Sequence, residues 1–284
     1  MSTTRVLITG AGGQLGHDLV AVCGAAGDDV VALDRAAVDV GDETSVRRAV
    51  SEIRPHLIIN SAAWTAVDAC ESDPDRAMRD NADAVRWLRQ EGEAVGAHLV
   101  QISTDYVFDG TLSRPYRPDD SPNPHSVYGR SKRVGEMNAG PDATIVRTSW
   151  VCGEHGANMV KTVLRLLPTT PELAFVTDQR GCPTFTADLA VLVRQLAVTR
   201  QPGIFHGTNQ RAVSWYEFVR EVVAAAGGDP AIVRPITTDE LDPPRPAQRP
   251  ANGVLDGSKL ADVGISPLRD FSEPLAELIA VLRP

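Results

Sequence analysis

Short apolar runs alternate with amphipathic segments along the first half of the chain. Runs rich in Val, Ile and Leu predict strands at about 5–9, 29–33, 57–60, 98–103 and 143–148. Apolar residues spaced three or four positions apart predict helices at about 13–25, 43–53, 74–96 and 126–138. Strands that alternate with helices are typical of α/β proteins, so we expect a Rossmann-type, doubly wound parallel sheet.

The simple alternation lapses after residue 149. Later segments predict helices at 160–167, 189–197 and 215–225, with a short strand at 203–206. From this pattern we expect residues 1–149, with 176–204 returning to them, to form a dinucleotide-binding domain. Residues 150–175 and 205–284 are expected to form a smaller, C-terminal substrate-binding domain.

A glycine-rich turn follows the first predicted strand. Gly10, Gly13 and Gly16 have the spacing of a dinucleotide-binding turn, in which a helix N-terminus meets the pyrophosphate. The second strand ends at Asp34, where an acid would bind an adenosine ribose, although a turn residue is the alternative. Arg35 is suited to a 2′-phosphate, so this pair leaves the choice between NAD and NADP open.

A hydroxyl and a Tyr–Lys pair form the second candidate group. Tyr128 and Lys132 are four residues apart on a predicted helix, and Thr104 ends the fourth predicted strand. We expect the Lys132 charge to lower the Tyr128 pKa from about 10 toward neutrality. Tyr128 would then donate a proton to a ketone that Thr104 orients, while Lys132 holds the nicotinamide ribose. The alternative is an ordinary helix with a half-buried tyrosine.

Several blocks, in this order, resemble the dTDP-4-dehydrorhamnose reductase family of extended short-chain dehydrogenases. They lie at 10–16, 60–68, 103–110, 128–132, 147–151 and 178–184, and the resemblance spans nearly the whole chain. It implies reduction of the C4 ketone of dTDP-4-dehydro-L-rhamnose by NADH or NADPH. This reaction is the last step of dTDP-L-rhamnose synthesis.

The resemblance and the glycine turn together supply the candidate site residues. Thr104, Tyr128 and Lys132 are the implied catalytic group, and Thr104, Asp105 and Trp150 are the implied contacts of the sugar nucleotide. A core tryptophan that closes the sheet is the alternative for Trp150. The candidate cofactor contacts, which also include Tyr128 and Lys132, are Gly10, Gly12, Gly13, Gln14, Leu15, Gly16, Asp34, Arg35, Asp39, Val40, Ala62, Ala63 and Trp64.

The chain departs from the family pattern at several positions. Cys152 stands where relatives often carry an aromatic residue, and Arg180 replaces a usual apolar residue. Some relatives dimerise through a carboxylate-bound Mg²⁺ ion. Asp18 matches one of those carboxylates but Ala187 stands at another, so we predict no metal site and leave a homodimer open.

Composition narrows the classes of ligand. The net charge of −9 argues against binding to nucleic acid polymers or anionic membranes. A diphosphate must therefore be met by local groups such as helix N-termini, or by Arg245 and Arg249 in the Pro-rich segment 243–250. A solvated linker is the alternative for that segment.

The cysteines and histidines show no ligand spacing. Cys23, Cys70, Cys152 and Cys182 are scattered, so we expect reduced thiols in a cytoplasmic protein. Residues 1–5 run directly into the first strand, and no apolar run approaches about 20 residues. Neither a signal peptide nor a membrane span is therefore expected.

Two other functions share parts of this pattern. A nucleotide-sugar epimerase or 4,6-dehydratase would use the same catalytic group, but related dehydratases carry Glu where this chain has Tyr106. A non-enzymatic NADP-binding regulatory subunit, like that of methionine adenosyltransferase, also resembles this fold. The presence of Tyr128 and Lys132 weighs against it.

Overall fold

The computed structural model describes residues 3–283, which contain a central sheet of six parallel strands. Met1 and Ser2, part of the N-terminal run considered above, and Pro284 lie outside the described residues. The strands are β1 (Arg5–Thr9), β2 (Asp29–Leu33), β3 (Leu57–Asn60), β4 (His98–Thr104), β5 (Thr144–Thr148), β6 (Val151–Cys152), β7 (Leu173–Val176), β8 (Arg180–Gly181), β9 (Thr184–Phe185), β10 (Gly203–His206), β11 (Val213–Ser214) and β12 (Val233–Ile236).

The strand order of the central sheet is β10–β5–β4–β3–β1–β2. The helices are α1 (Gln14–Ala25), α2 (Glu43–Ile53), α3 (Val67–Ser72), α4 (Pro74–Met78), α5 (Ala84–Val95), α6 (Val127–Ala139), α7 (Met159–Leu166), α8 (Thr186–Val198), α9 (Trp215–Ala225) and α10 (Ser272–Leu282). The predicted Rossmann-type parallel sheet is confirmed, and each predicted strand lies within about one residue of its expected position.

The predicted helix at 74–96 is the main difference from the expected elements. The chain instead forms α4, a π-helical turn at Arg79–Asp83, and then α5. The Asn81 carbonyl oxygen on this turn would lie 2.3 Å from a Cβ atom added to Gly135 of α6. The wider turn thus allows close packing against α6, which helical periodicity alone does not indicate.

Alternate residues of each strand support opposite layers of helices. On β1, Val6 and Ile8 belong to the core beneath α1 and α8, whereas Leu7 belongs to the core beneath α2 and α5. Strand β10 extends through His206, and Leu260 also packs into the first of these cores. Parts of the predicted second domain therefore contact the sheet directly.

A separate apolar core lies C-terminal to the fifth strand in sequence. Phe218, Val219 and Val222 of α9 are fully buried there, together with Val160 of α7 and Phe271 before α10. Strands β7 and β12 pair in parallel at the same core. The second core brings together segments from 150 to 282, although the predicted domain boundaries stay a prediction.

A buried ion pair fixes α6 against the middle of the sheet. Glu136 of α6 accepts hydrogen bonds from Arg147 Nε at 2.7 Å and Arg147 Nη2 at 2.8 Å. Ser103 of β4 donates to the same carboxylate at 2.6 Å. Burial alone would raise the Glu136 pKa, but these hydrogen bonds and the Arg147 charge hold that pKa below its usual value.

Replacing Arg147 by Met should leave the buried Glu136 carboxylate without its main partner. We expect the free energy of unfolding to fall by about 3–5 kcal/mol in urea denaturation. Arg133 reaches the same carboxylate at 3.1 Å from the partly exposed side, so Arg133→Ala should cost less than about 1 kcal/mol. Equal losses in the two variants would contradict this account of the pair.

Candidate active site

The turn between β1 and α1 requires glycine for steric reasons. Gly10 has φ +69°, and a Cβ atom there would lie 2.6 Å from the Ala62 backbone nitrogen. A Cβ atom at Gly16 would lie 2.2 Å from the Gly10 carbonyl oxygen. Among residues 3–283 no side chain caps the first turn of α1 at Gly13, so its backbone N–H groups face the turn. Such a helix N-terminus is suited to a pyrophosphate.

The turn opens into a cavity of about 370 Å³ along the carboxyl ends of β1, β2 and β3. It is lined by Gly10, Gly12, Gly13, Asp34, Arg35, Ala36, Val38, Asp39, Val40, Ser61, Ala62, Ala63, Trp64 and Asp80. Most of the candidate cofactor contacts therefore lie on one surface. Sequence reasoning missed Ala36, Val38 and Asp80, which belong to no motif, and Ser61, which lies within the 60–68 block but was not among the candidate contacts.

Three candidate cofactor contacts near the start of α1 are not among the residues that line this cavity. Leu15 packs into the core beneath α1, and Gly16 lies under the turn against Gly10. The Gln14 side chain accepts a hydrogen bond from Asn158 Nδ2 at 3.0 Å. Their contact with a cofactor stays a prediction.

Asp34 caps the turn after β2 and also faces the cavity. Its Oδ1 atom accepts hydrogen bonds from the backbone N–H groups of Ala36 at 2.9 Å and Ala37 at 3.0 Å. It therefore stabilises the turn after β2, and it also lines the cavity beside Arg35. The cavity offers a carboxylate for ribose hydroxyls and a guanidinium for a 2′-phosphate.

Asn60 orders the end of β3 beneath the cavity. Its Oδ1 atom accepts from Thr9 Oγ1 at 2.6 Å and from the Ala62 backbone at 3.2 Å. Its Nδ2 atom donates to Gln101 Oε1 at 2.7 Å. This buried chain of side chains joins β1, β3 and β4 and positions the loop that contains Ala62.

Asn81 holds the other end of that loop. The Trp64 N–H donates to Asn81 Oδ1 at 2.7 Å, and Asn81 Nδ2 donates to the Trp64 carbonyl at 3.1 Å. Asn81 Nδ2 also donates to Ser131 Oγ of α6 at 3.0 Å. The π-helical turn thereby connects the cavity to the helix that carries Tyr128, a connection without any signal in the sequence.

The candidate catalytic side chains meet at the carboxyl end of β4. Thr104 is the last residue of β4, and Tyr128 lies in the first turn of α6, which Ser126 caps through the Gly129 N–H at 3.0 Å. Thr104 Oγ1 donates to Asp105 Oδ1 at 3.0 Å and accepts from the Tyr106 N–H at 3.2 Å. Thr104 and Tyr128 are both more than nine-tenths buried.

The expected lowering of the Tyr128 pKa by Lys132 is wrong for this structure. Burial raises the Tyr128 pKa, the nearby Asp105 charge raises it further, and the polar Thr104 hydroxyl only partly opposes them. Lys132 Nζ instead donates to the Ile102 carbonyl at 2.6 Å. Tyr128 therefore retains its proton, as a proton donor must.

Two other buried groups next to Tyr128 have pKa values close to neutral. Burial raises the pKa of Asp105 to about 7, although its hydrogen bond with Thr104 opposes the shift. Burial lowers the pKa of Lys132 to about 8, and the Glu136 charge opposes that shift. Asp105 and Lys132 can therefore change charge around physiological pH.

The Trp150 ring belongs partly to the second apolar core. It stacks on Trp215 with ring centroids 3.6 Å apart and an interplanar angle of 8°. A Cβ atom added to Gly181 would lie 2.6 Å from Trp150 Cε2, so the indole is closely packed there too. These neighbours hold the Trp150 ring in place, and the residue is only half-buried. Part of Trp150 is therefore packed and part of it is open to a ligand.

The two positions that depart from the family pattern lie in different surroundings. Cys152 is buried in the second core, where burial raises the pKa of its thiol to about 12. Arg180 is exposed and pairs with Glu217 at 3.3 Å. All four cysteines are buried free thiols in the part of the chain that the structure describes.

Residues 3–283 contain no group of three or more His, Cys, Asp or Glu side chains that could hold a metal ion. Over the same residues, none of the helices has the length and apolar character that crossing a bilayer requires.

The fold and this arrangement of side chains define a Rossmann-fold protein of the short-chain dehydrogenase type. The chain belongs to the RmlD substrate binding domain family, whose model matches residues 4–283. It is 44% identical to a dTDP-4-dehydrorhamnose reductase from Streptomyces griseus, over 98% of this chain and 94% of that protein. It is 42% identical to the Bacillus subtilis spore coat polysaccharide biosynthesis protein SpsK, over 97% of both chains.

A solved structure extends the same comparison. The chain resembles the dTDP-4-dehydrorhamnose reductase of Bacillus anthracis, crystallised in complex with NADP, with a TM-score of 0.94 and 36% identity. The alignment covers 99% of this chain and 100% of that one. The whole chain therefore has the architecture of these relatives.

Replacing Gly10 by Ala should disturb the cavity because the added methyl group meets the Ala62 backbone. We expect NADPH affinity, measured by fluorescence titration, to fall by about tenfold or more, equivalent to 1.4 kcal/mol. Gly24→Ala in α1 is the control, since among the described residues its added Cβ meets nothing within 4 Å apart from its chain neighbours and its own helix backbone. NADPH binding by Gly10→Ala as tight as by the control would contradict the proposed constraint.

Proposed function

We propose that this protein reduces the C4 ketone of dTDP-4-dehydro-L-rhamnose to give dTDP-L-rhamnose, with NADPH or NADH as reductant. The observation that carries the proposal is the burial of Thr104 and Tyr128 at the end of β4, where Tyr128 packs with Trp64 of the cavity at the glycine turn. The names of the full-length relatives support the same reaction.

The catalytic side chains supply orientation and a proton. Thr104 and Tyr128 are both buried at the end of β4. A ketone oxygen beside them would accept from the Tyr128 phenol and, once the Thr104 hydroxyl turns away from Asp105, from that hydroxyl as well. Tyr128 donates the proton that the reduced oxygen requires. When bound, the reduced nicotinamide supplies the hydride for the ketone carbon.

The residues around the cavity fit a dinucleotide. The N-terminus of α1 would hold the pyrophosphate, Asp34 and Arg35 the adenosine ribose, and Asp39 and Val40 the adenine. Lys132, which donates to the Ile102 carbonyl, would hold the nicotinamide ribose. The NADP complex of the Bacillus anthracis relative supports use of NADP, and Asp34 is compatible with NAD.

Asp105 and Trp150 are the proposed contacts of the sugar. Asp105 lies beside Thr104 and is buried, and the half-buried Trp150 follows β5 at the edge where doubly wound sheets bind their ligands. We also propose that segments 150–175 and 205–284 form most of the cover over this substrate. The dTDP-sugar is the proposed binding partner. We propose no nucleic acid or membrane partner, and we propose that the protein acts in the cytoplasm.

One assay separates this function from its alternatives. Stoichiometric NADPH consumption with dTDP-4-dehydro-L-rhamnose, and dTDP-L-rhamnose identified by mass spectrometry and NMR, would establish the reduction. An epimerase or dehydratase would convert its nucleotide sugar without net NADPH consumption. A regulatory subunit would bind NADPH but would not turn over any nucleotide sugar.

Replacing Tyr128 by Phe removes the acidic hydroxyl and keeps the ring. We expect kcat to fall by about 10²-fold or more, the scale of a lost general acid, with NADPH affinity unchanged. Tyr216→Phe is the matched control, because the Tyr216 hydroxyl lies in another part of the chain and accepts a hydrogen bond from the exposed Arg220 at 3.1 Å. Near-normal turnover in Tyr128→Phe would refute the assignment.

The shifted pKa values of Asp105 and Lys132 lead us to expect that kcat/KM depends on pH. As pH rises, ionised Asp105 raises the Tyr128 pKa further and weakens the acid, and Lys132 then loses its charge. We expect kcat/KM to fall above the Asp105 pKa of about 7. Asp105→Asn removes that ionisation, so the midpoint should move toward the Lys132 pKa of about 8.

The pH profile of kcat/KM checks this shift, whatever the absolute activity of the variant. Asp119 is exposed, and Asp119→Asn should leave the wild-type midpoint in place. An unchanged midpoint in Asp105→Asn would show that Asp105 does not control the profile.

A further inference from the structure

Residues 153–158, between β6 and α7, form a strap that lies on the first turns of α1. Asn158 Nδ2 donates to Gln14 Oε1 at 3.0 Å. The His155 ring stacks on the His17 ring, with centroids 3.9 Å apart and an interplanar angle of 25°. These contacts join the strap to the helix whose N-terminus faces the dinucleotide cavity.

Both ends of the strap are anchored outside α1. At one end, a Cβ atom added to Gly153 would clash with the Thr186 side chain of α8. At the other end, Asn158 caps α7 by accepting from the Lys161 N–H at 3.1 Å. Asn158 Nδ2 also donates to the Gly153 carbonyl at 2.8 Å, which brings the two ends together. The strap is therefore a short loop that is held at its base.

Lys161 and Gly156 give the strap a defined shape. Lys161 Nζ donates to the Gly156 carbonyl at 3.0 Å and also to the Glu154 carbonyl. Gly156 has φ +67°, a conformation that favours glycine, and a Cβ atom added there would lie 2.7 Å from Gln14 Cγ. Because its own hydrogen bonds hold this shape, the strap can move away from α1 as one unit.

The contacts between the strap and α1 are few and open to solvent. Three of the six residues of the strap are exposed, and so is His17 on the helix. Among residues 3–283, the apolar cores include no side chain of the strap. A segment that buries little apolar surface separates from its neighbours at a low cost in free energy. The hydrogen bond to Gln14 and the histidine stack are therefore the contacts that keep the strap closed.

We propose that the strap is a gate for the dinucleotide, an inference that rests on the proposed function. A reductase must release its oxidised dinucleotide and bind a reduced one in every turnover. Gly12 and Gly13, which line the cavity, directly precede Gln14. The closed strap obstructs this end of the cavity, and it opens when Gln14 and His17 are released. Because the closing contacts join protein atoms, the gate acts on entry and on release alike.

The test measures the rate constants of NADPH association and dissociation with the intact protein, by stopped-flow fluorescence. His155→Ala removes the ring stack, so we expect both rate constants to rise by about threefold to tenfold. The dissociation constant should then change by less than about threefold, because opening the gate favours neither direction. His56→Ala is the control, since His56 is exposed, precedes β3 at the opposite edge of the sheet, and should leave both rate constants unchanged.

A double-mutant cycle tests whether the two rings act together. His17→Ala removes the other ring of the stack, so the double variant with His155→Ala should have the rate constants of either single variant. Effects that multiply in the double variant would show that the rings act separately, and would overturn the stack as a closing contact.

A third variant tests the hydrogen bond to α1. Asn158→Ser removes the donor to Gln14 but keeps a hydroxyl that can cap α7. We expect both rate constants of NADPH binding to rise in this variant too, by about twofold to tenfold. A raised dissociation rate with unchanged association would make the strap an ordinary cofactor contact and overturn the gate.

The outcomes also separate the gate from the proposed function. Wild-type rate constants in His155→Ala and Asn158→Ser, with normal NADPH-dependent turnover, would overturn the gate and leave the reductase function standing. Faster NADPH entry and release in these variants, without turnover of the nucleotide sugar by the wild-type protein, would support the gate and contradict the reductase function.

Discussion

The buried pair of Glu136 and Arg147 is the interaction on which the rest of the site depends. Arg147 lies on β5 and Glu136 on α6, and Ser103, one residue before Thr104, donates to the same carboxylate. A buried ion pair adds little net stability over apolar packing, but it tolerates few alternative arrangements because an unpaired charge is costly there. It thereby fixes the angle at which α6 presents its first turns to the end of β4.

Burial at that junction then determines the protonation states. Tyr128, Asp105 and Lys132 all lie in surroundings that disfavour charge, so Tyr128 and Asp105 hold protons more tightly and Lys132 holds its proton less tightly. For a reductase this is the useful direction, because the reaction begins with a tyrosine that carries a proton. The Lys132 charge is directed at a backbone carbonyl and is not the main influence on the phenol.

Sequence reasoning could not anticipate that the Tyr128 pKa is raised. The spacing of Tyr128 and Lys132 on one helical face does not reveal what surrounds them. Sequence reasoning also placed one helix across 74–96, where a π-helical turn brings Asn81 to the Trp64 backbone. Gln14 and Leu15 belong to the glycine motif, yet the Gln14 side chain contacts Asn158 and Leu15 packs into the core beneath α1. In each case a contact between segments distant in sequence determines where the side chain lies. Such contacts leave no local pattern in the sequence.

The sequence by itself determined the parallel sheet, because alternating strands and helices have few ways to bury their apolar faces. It also determined the glycine turn, since Gly10 must adopt a conformation that other residues rarely accept. Only the tertiary structure decided the environment of the Pro-rich segment and of the catalytic tyrosine. Arg249 pairs with Asp68, which lies 181 positions away in sequence. The burial of Tyr128 depends on every segment that covers it. A local stretch of sequence therefore indicates neither the ion pair nor the burial.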